Sequence, residues 1–285
     1  MDLTTIRKIL IIKLRYIGDV LLSTPVVANL RHHFPDAFIA MVVNRGTEEI
    51  LRYNHHLNEV IQLDRSRIRR DLLSRIQAQL SYITQIRKKE FDLVVDLTDG
   101  DRGAILSFLA GAPIRIGYNA EGKIRGRLYT KIAHPLGSLL HNVEYQLDAV
   151  RAIGLSIHSK HLELRWGEEE DRSVQKWLMT KGLADRPFVT MHAGARWRFK
   201  QWPLDRFAFL AESLREQFDL ETVFLVGEKE QEELKEIRRY MHHPSIAAQG
   251  LTLLQMAALI QRSRLFIGND NGPMHIAASV GTSVV

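Results

Sequence analysis

Short apolar runs alternate with longer segments of helical period along the whole chain. This pattern is typical of buried strands of a parallel sheet joined by helices. In the first half it predicts strands at Lys8–Lys13, Phe38–Val43, Glu59–Leu63, Leu93–Leu97 and Ile114–Gly117. The predicted helices of this half are Val20–His33, Thr47–Leu51, Asp71–Lys89, Gly103–Leu109 and His141–Ile153.

The pattern restarts after Leu162–Arg165, where Glu168–Asp171 places four acids at the positive end of a new helix. The strands predicted beyond this point are Phe188–Met191, Thr222–Val226, Ile246–Ala248 and Leu265–Gly268. The helices predicted there are Asp205–Gln217, Glu230–Tyr240, Leu253–Arg262 and Pro273–Val280. We therefore expect an α/β protein with two Rossmann-like doubly wound domains, 1–165 and 166–285, facing a cleft. Ser283–Val285 resembles the start of a strand, which predicts that the second domain is incomplete.

The composition excludes several classes of protein. An apolar fraction of 45% is ordinary for a globular chain, and the absence of cysteine excludes disulfides and thiolate chemistry. The N-terminus lacks a signal-peptide core, and no apolar stretch approaches the roughly 20 residues of a membrane span. We expect a cytoplasmic protein.

Positive charge is concentrated in the first half. Residues 1–160 contain 23 Lys and Arg against 16 Asp and Glu, whereas residues 161–285 contain 16 against 17. The densest clusters are Arg65, Arg67, Arg69 and Arg70, and then Arg115, Lys123, Arg125, Arg127 and Lys131. Such clusters attract anionic partners such as phosphorylated lipids, a membrane surface or nucleic acid, although solvated helix faces and loops explain each cluster alone equally well.

The first candidate for chemistry is Asp19, where the loop after the first strand becomes a helix. It follows Gly18 and lies near the cations Lys13 and Arg15. Ligands of open parallel sheets bind beyond the carboxyl ends of the strands, so Asp19 is a candidate general base. A helix N-cap is the alternative role.

Three loops of the second half are candidates for one ligand site. The loop His192–Pro203 carries Arg196, Arg198 and Lys200 before a helix, which favours a diphosphate cradle over a purely structural loop. Glu228 follows the next strand and could bind ribose hydroxyls, but this acidic stretch also suits the first turn of a helix.

The third loop runs from Asn269 to His275 and ends in the first turn of a helix. Pro273 suits the first helical position, and either Asp270 or Asn271 could cap the helix. His275 falls in that first turn, so its ring and the loop can meet one ligand.

Other polar groups attract weaker interpretations. Asp99-Gly100-Asp101 has the spacing of a metal-binding acid pair but is interpreted as a turn. The histidine pairs His32-His33, His55-His56 and His242-His243 are interpreted as poor chelators, because neighbouring residues point to different sides of a helix.

Three segments together resemble the lipopolysaccharide heptosyltransferases, glycosyltransferase family 9. They are Ile11–Pro25, Lys200–Pro203 and Asn269–His275, and they occur in the family's order. The Lys-Leu-Arg-Tyr-Ile-Gly-Asp and Arg-Trp-Arg-Phe-Lys-Gln-Trp-Pro forms look most like the heptosyltransferase III branch.

The resemblance implies a GT-B fold with an N-terminal acceptor domain and a C-terminal donor domain. It implies inverting transfer of heptose from ADP-heptose to a heptose of the phosphorylated lipopolysaccharide inner core, at the cytoplasmic face of the inner membrane. We expect no metal or other cofactor. Nucleic-acid binding stays open as an alternative but is not expected, because the sequence has no recognisable nucleic-acid-binding module. Asp19 would be the general base, and Lys13, Arg15 and Gly18 would lie on the acceptor side. The donor residues would be Arg196, Lys200, Glu228, Asp270, Asn271, Gly272 and His275.

Two further alternatives remain open. A nucleotide-sugar epimerase could have the same architecture, and a non-catalytic protein could bind anionic glycolipid through the basic first half. A dinucleotide dehydrogenase is disfavoured because neither candidate loop has the Gly-x-Gly-x-x-Gly spacing.

Overall fold

A computed structural model describes residues 3–64, 72–119, 121–135, 137, 141–195 and 197–285. The chain forms two compact units, Met1–Glu163 and Leu164–Val285. This division falls beside residue 165, where the sequence pattern places a domain boundary. The arginine cluster at residues 65–70 lies outside the described residues.

The first unit is built on a parallel sheet with helices and short 3-10 turns between its strands. Its described strands are β1 (Lys8–Lys13), β2 (Phe38–Asn44), β3 (Glu59–Leu63), β4 (Leu93–Asp96), β5 (Ile114–Tyr118) and β6 (Lys131–Ala133). Its described α-helices are α1 (Ile17–Leu21), α2 (Thr24–His33), α3 (Leu72–Arg87), α4 (Asp101–Leu109) and α5 (Asn142–Ala152). The strand order is β3-β2-β1-β4-β5-β6, with every pair parallel.

Burial explains why β1 lies at the centre of this sheet. Its neighbours are β2 on one side and β4 on the other, and the side chains from Ile9 to Ile12 are fully buried. A strand covered on both faces needs a continuous apolar run rather than an alternating one. Leu10 and Ile12 belong to a core cluster with Val42, Val94 and neighbouring apolar side chains.

The second unit repeats this design with a smaller described sheet. Its strands are β7 (Phe188–His192), β8 (Glu221–Val226), β9 (Ile246–Gln249) and β10 (Phe266–Gly268), in the parallel order β10-β7-β8-β9. Its helices are α6 (Glu168–Thr180), α7 (Leu204–Phe218), α8 (Gln231–Arg239), α9 (Leu253–Arg262) and α10 (Gly272–Ser279). The predicted strand start at the C-terminus pairs with β10, because Phe266 donates to the carbonyl of Ser283 and Gly268 to that of Val285.

The prediction of one helix over Val20–His33 is wrong, because the structure divides this segment into α1 and α2. The hydroxyls of Ser23 and Thr24 donate to carbonyls three residues earlier in the chain. Pro25 is in the first turn of α2 and has no N–H with which to continue a helix from α1.

Two smaller predictions also need correction. The segment predicted as a helix at Thr47–Leu51 is a 3-10 turn over Glu48–Leu51. Strand β6 was not predicted, because three residues that begin with an exposed lysine give too little apolar pattern.

Within the described residues, no helix combines the length and apolar character that crossing a bilayer requires.

Candidate functional site

The donor-side candidates lie in the second unit, beyond the carboxyl ends of three adjacent strands. Strand β7 lies between β8 and β10, so the loops after these strands meet at one edge of the sheet. The chain leaves β7 toward β8 on one side and returns at β10 on the other, which makes the β7/β10 boundary a topological switch point.

Two asparagines join the loop after β10 to the loop after β7. The amide of Asn269 donates to the carbonyl of Ala193 at 2.8 Å, and its oxygen accepts from the N–H of Trp202 at 3.0 Å. The amide of Asn271 donates to the carbonyl of Gly194 at 2.7 Å. These side-chain bonds fix the backbone on both sides of the switch point.

His192, the last residue of β7, connects all three loops. Its Nδ1 is 2.8 Å from the amide nitrogen of Asn271, and its Nε2 is 3.1 Å from Oε2 of Glu230. Because an amide nitrogen only donates, Nδ1 accepts a hydrogen bond from Asn271. Nε2 therefore carries the ring hydrogen and donates a hydrogen bond to Glu230. The sequence pattern predicts no individual role for His192, although a polar residue at the end of a buried strand is a signal for one.

Glu230 is the glutamate of the β8 loop that reaches the site. Its Oε2 also accepts from the N–H of Gly227 at 2.8 Å, and a Cβ on Gly194 would overlap its carboxylate. Burial raises the pKa of Glu230, but its hydrogen bonds to His192 and Gly227 hold the pKa below the usual value. Glu228, the residue carried over from the family resemblance, is exposed in the turn before Glu230.

Lys200, Asp270 and His275 form a charged group at another part of the site. The ammonium of Lys200 pairs with Oδ2 of Asp270, and Nε2 of His275 is 4.0 Å from Oδ1 of the same carboxylate. The hydrogen bond from Lys200 is the main reason that the pKa of Asp270 lies below its usual value. Lys200 ends a short 3-10 turn over Arg198–Lys200, and Arg196 lies outside the described residues.

The N-terminus of α10 opens directly beside this cluster. Asn271 is the N-cap, and its side-chain oxygen accepts from the N–H of Met274 at 3.3 Å. Asp270 is therefore not the cap, and its carboxylate remains available to Lys200. Gly272 is the first helical residue, so its N–H is among those that lack a helical partner and can bind an anion.

The acceptor-side candidates lie in the first unit, at the switch point between β1 and β4. Lys13 is buried, and its ammonium donates to the carbonyl of Leu97 at 2.7 Å. Arg15 is exposed, and its guanidinium donates to the carbonyls of Thr98 and Asp99 at 2.9 and 3.2 Å. Both cations thus join the loop after β1 to the loop after β4.

Asp19 is the third residue of α1 and is half-buried beside buried Gly18. Tyr16, not Asp19, is the N-cap, and Oδ2 of Asp19 accepts from its N–H at 3.3 Å. Burial lowers the pKa of Lys13 to about 8, and the Asp19 carboxylate is the largest influence in the opposite direction. The site therefore combines a carboxylate with a buried, fixed ammonium.

The loop after β4 contains polar groups for which the sequence predicts no function. Of the segment Asp99-Gly100-Asp101, interpreted from the sequence as a turn, Gly100 is the N-cap of α4 and Asp101 is the first residue of that helix. Asp99 precedes them in the left-handed region at a φ of 50°. Its carboxylate accepts from Arg125 at 3.0 Å and from the hydroxyl of Tyr145 at 2.7 Å. These two bonds fix the orientation of the Asp99 carboxylate at the end of β4.

Asp96, the last residue of β4, is fully buried. Its carboxylate accepts from the hydroxyl of Tyr129 at 2.7 Å and from the N–H of Thr98 at 2.8 Å. Burial raises the pKa of Asp96 to about 6, against the opposing effect of these hydrogen bonds and of the Lys13 charge.

Two parallel α/β units in tandem, each with polar side chains at its switch point, are the architecture of GT-B glycosyltransferases. A model of the family described as glycosyltransferase family 9 (heptosyltransferase) matches residues 79–285. Lipopolysaccharide heptosyltransferase 3 of Escherichia coli (strain K12) is 30% identical over 280 residues, which cover 95% of this chain and 79% of that protein. The chain belongs to glycosyltransferase family 9, the heptosyltransferases.

Solved structures give the same fold. A glycosyl transferase family 9 structure from Veillonella parvula DSM 2008 has a TM-score of 0.87 and 26% identity, covering 98% of this chain and 79% of its own. ADP-heptose lps heptosyltransferase II of E. coli has a TM-score of 0.76 over 97% of this chain and 83% of its own. Its 22% identity supports the fold alone.

Proposed function

We propose that this chain transfers heptose from ADP-heptose to a heptose of the phosphorylated lipopolysaccharide inner core, with inversion at the anomeric carbon and without a metal ion. Family membership supports the reaction class. The observation that carries the donor assignment is the group formed by His192, Glu230 and Asn271 next to Lys200 and the N-terminus of α10. It offers a carboxylate for a ribose diol beside positive groups for a diphosphate.

In this proposal the donor is held entirely by the second unit. Glu230 takes the ribose role that the family resemblance gave to Glu228, because Glu230 reaches the switch point and Glu228 does not. Lys200, with Arg196 and the N–H of Gly272, stabilises the negative charge that develops on the leaving ADP. Asp270 and His275 orient Lys200 and the donor sugar.

Asp19 is the proposed general base of the first unit. It takes the proton from the acceptor heptose hydroxyl, whose oxygen attacks the anomeric carbon while the bond from that carbon to the diphosphate breaks. Lys13 holds the neighbouring backbone through its hydrogen bond to the carbonyl of Leu97. Arg15 and Gly18 line the acceptor side, where Arg15 offers an exposed positive charge to a phosphorylated sugar.

The net positive charge of residues 1–160 supports a peripheral contact with an anionic membrane surface, where the lipid-linked acceptor is located. We therefore place the enzyme at the cytoplasmic face of the inner membrane.

Acceptor-dependent release of ADP from ADP-heptose tests the proposal. Asp19→Asn keeps an oxygen that can accept from Tyr16 but removes the base, so transfer should fall about 10²–10⁴-fold with unchanged ADP affinity and thermal stability. Undiminished transfer by this variant would remove Asp19 from the mechanism. Donor conversion without any acceptor would instead indicate an epimerase, and binding of acceptor without ADP release would indicate a non-catalytic protein.

A further inference from the structure

The first unit contains a group of metal-ligand side chains that the transfer reaction does not use. His55 and His56 belong to the turn before β3, and Glu163 is the last residue of the unit. One ligand atom from each residue lies within 4.8 Å of the others. We propose that these three side chains bind one divalent transition-metal ion, with zinc as the best match.

This proposal revises the interpretation of His55-His56 as a poor chelator. That interpretation assumed a helix, in which neighbouring side chains diverge. In the observed turn the two rings lie on the same side, with ring centroids 3.8 Å apart. Two adjacent histidines and a glutamate distant in the sequence thus converge on one point.

The backbone of the site is fixed before any ion binds. The guanidinium of Arg31 donates to the carbonyl of His56 through Nε and Nη2, at 3.2 and 3.0 Å. The N–H of His56 donates to the side chain of Asn54 at 3.0 Å, and the N–H of Glu163 donates to the hydroxyl of Thr24 at 2.9 Å. Arg31 and Thr24 both belong to α2, so one helix positions both ligand segments.

Two buried atoms of the site have no hydrogen-bond partner in the part of the chain that the structure describes, namely Nδ1 of His56 and Oε2 of Glu163. Nε2 of His56 is 2.9 Å from the other oxygen of Glu163. A buried polar atom without a partner is costly, and a carboxylate and imidazole in contact already have the donor atoms of a zinc site. The pair therefore has donor atoms that hydrogen bonds within the described residues do not occupy, and a bound cation would use this capacity.

The distances suit zinc with small side-chain adjustments. Zinc binds imidazole nitrogen at about 2.0–2.1 Å and carboxylate oxygen at about 2.0–2.2 Å, so tetrahedral ligand atoms lie about 3.3 Å apart. The 2.9 Å separation of His56 Nε2 and Glu163 Oε1 is close to this value, and all three ligand atoms lie within 4.8 Å of one another. Two nitrogens and one oxygen are a recurrent zinc ligand set, with water as the fourth ligand.

The chain provides a matched control in its second unit. Nδ1 of His243 is 2.8 Å from Oε2 of Glu212, which is the same kind of pair as His56 and Glu163. Among the described residues, a third ligand, His55, lies beside the pair of His56 and Glu163, and no such third ligand lies beside the pair of His243 and Glu212. Removing His243 should therefore not affect metal binding.

Isothermal titration of tag-free, metal-free full-length chain with zinc chloride tests the proposal. Wild type and His243→Ala should each bind one zinc ion per chain with the same affinity. His55→Ala, His56→Ala and Glu163→Gln should weaken binding at least about 100-fold, since even outer-shell changes weaken metal sites 10–100-fold. Cobalt should give a visible spectrum typical of tetrahedral coordination in wild type and not in His55→Ala, whose replaced side chain is exposed.

A stoichiometry far from one, or equal zinc affinity in wild type and His55→Ala, would overturn the proposal. Thermal unfolding provides a second readout, because an ion that binds only the folded state raises the melting temperature. Zinc should raise it in wild type and His243→Ala but not in His55→Ala. An equal rise in all three would place the ion elsewhere and refute this site.

Discussion

Replacing Glu230 by glutamine tests which glutamate of the β8 loop binds the donor. The substitution preserves the shape of the side chain and removes its charge. An amide oxygen in the place of Oε2 can still accept from His192 Nε2 and Gly227 N, at 3.1 and 2.8 Å, whereas the amide nitrogen replaces the acceptor Oε1. The carboxylate lies over Gly194, where its Oε1 can accept from a ribose hydroxyl.

The expected magnitude follows from the charge on Glu230. A hydrogen bond to a charged group contributes about 1.5–3 kcal/mol, which corresponds to a loss of about 10- to 150-fold in affinity for ADP. The folded state should lose about 1 kcal/mol, because the charge-assisted contact with His192 becomes a neutral hydrogen bond. Glu228→Gln removes an equal charge from an exposed side chain that lies two residues before Glu230. It should leave both the ADP affinity and the free energy of unfolding unchanged.

Calorimetric titration with ADP and 2′-deoxy-ADP separates ribose contact from general charge effects. Wild type and Glu228→Gln should discriminate between the two ligands, whereas Glu230→Gln should lose most of that discrimination. The non-additivity of the Glu230→Gln substitution and the removal of the 2′-hydroxyl measures the direct coupling between this side chain and the ribose. Equal discrimination by Glu230→Gln and wild type would refute the assignment, as would an equal loss of ADP affinity in Glu228→Gln.

Two further predictions concern the buried carboxylate of the first unit. In Gly103→Ala the new Cβ would overlap both carboxylate oxygens of Asp96, which Tyr129 and Thr98 hold in place, so urea unfolding should show a loss of about 2 kcal/mol or more. The control Gly100→Ala meets its nearest atom at 3.9 Å and should cost less than about 1 kcal/mol; an equal loss in both variants would contradict this reasoning. Because the pKa of Asp96 is raised from 3.8 to about 6, its contribution to stability falls as the pH rises through this window, by about 3 kcal/mol in total. The free energy of unfolding of Asp96→Asn should therefore improve relative to wild type between pH 4 and pH 7, and an unchanged difference across that range would show that the pKa is not raised.

Strands with continuous apolar runs were the most predictable part of the fold. The bounds of β3 and α9 match the predicted Glu59–Leu63 and Leu253–Arg262, and most other strands differ by one residue at an end. Periodicity was insufficient where side chains compete for backbone carbonyls, as Ser23 and Thr24 do between α1 and α2. It was also insufficient at β6, which is too short to show a period.

The candidate site was predictable as a set of loops but not as a set of side chains. Several glutamates follow β8, and their spacing alone does not tell which one turns back over the sheet. That choice depends on a distant position, because Gly194 leaves the space that the Glu230 carboxylate occupies. Lys13 likewise looked like a cation for an anionic ligand, whereas its contact with Leu97 requires knowing that β1 pairs with β4.

Strand order explains why both candidate sites have the same construction. In each unit the first strand of the sheet has its second strand on one side and its fourth on the other, so the loops after the first and fourth strands meet at the switch point. Asp19 follows β1 and Asp99 follows β4, just as His192 ends β7 and Asn271 follows β10. A residue at the end of the central strand can contact the loops on both of its sides. His192 therefore links Glu230 to Asn271, and its contacts follow from its position in the sheet.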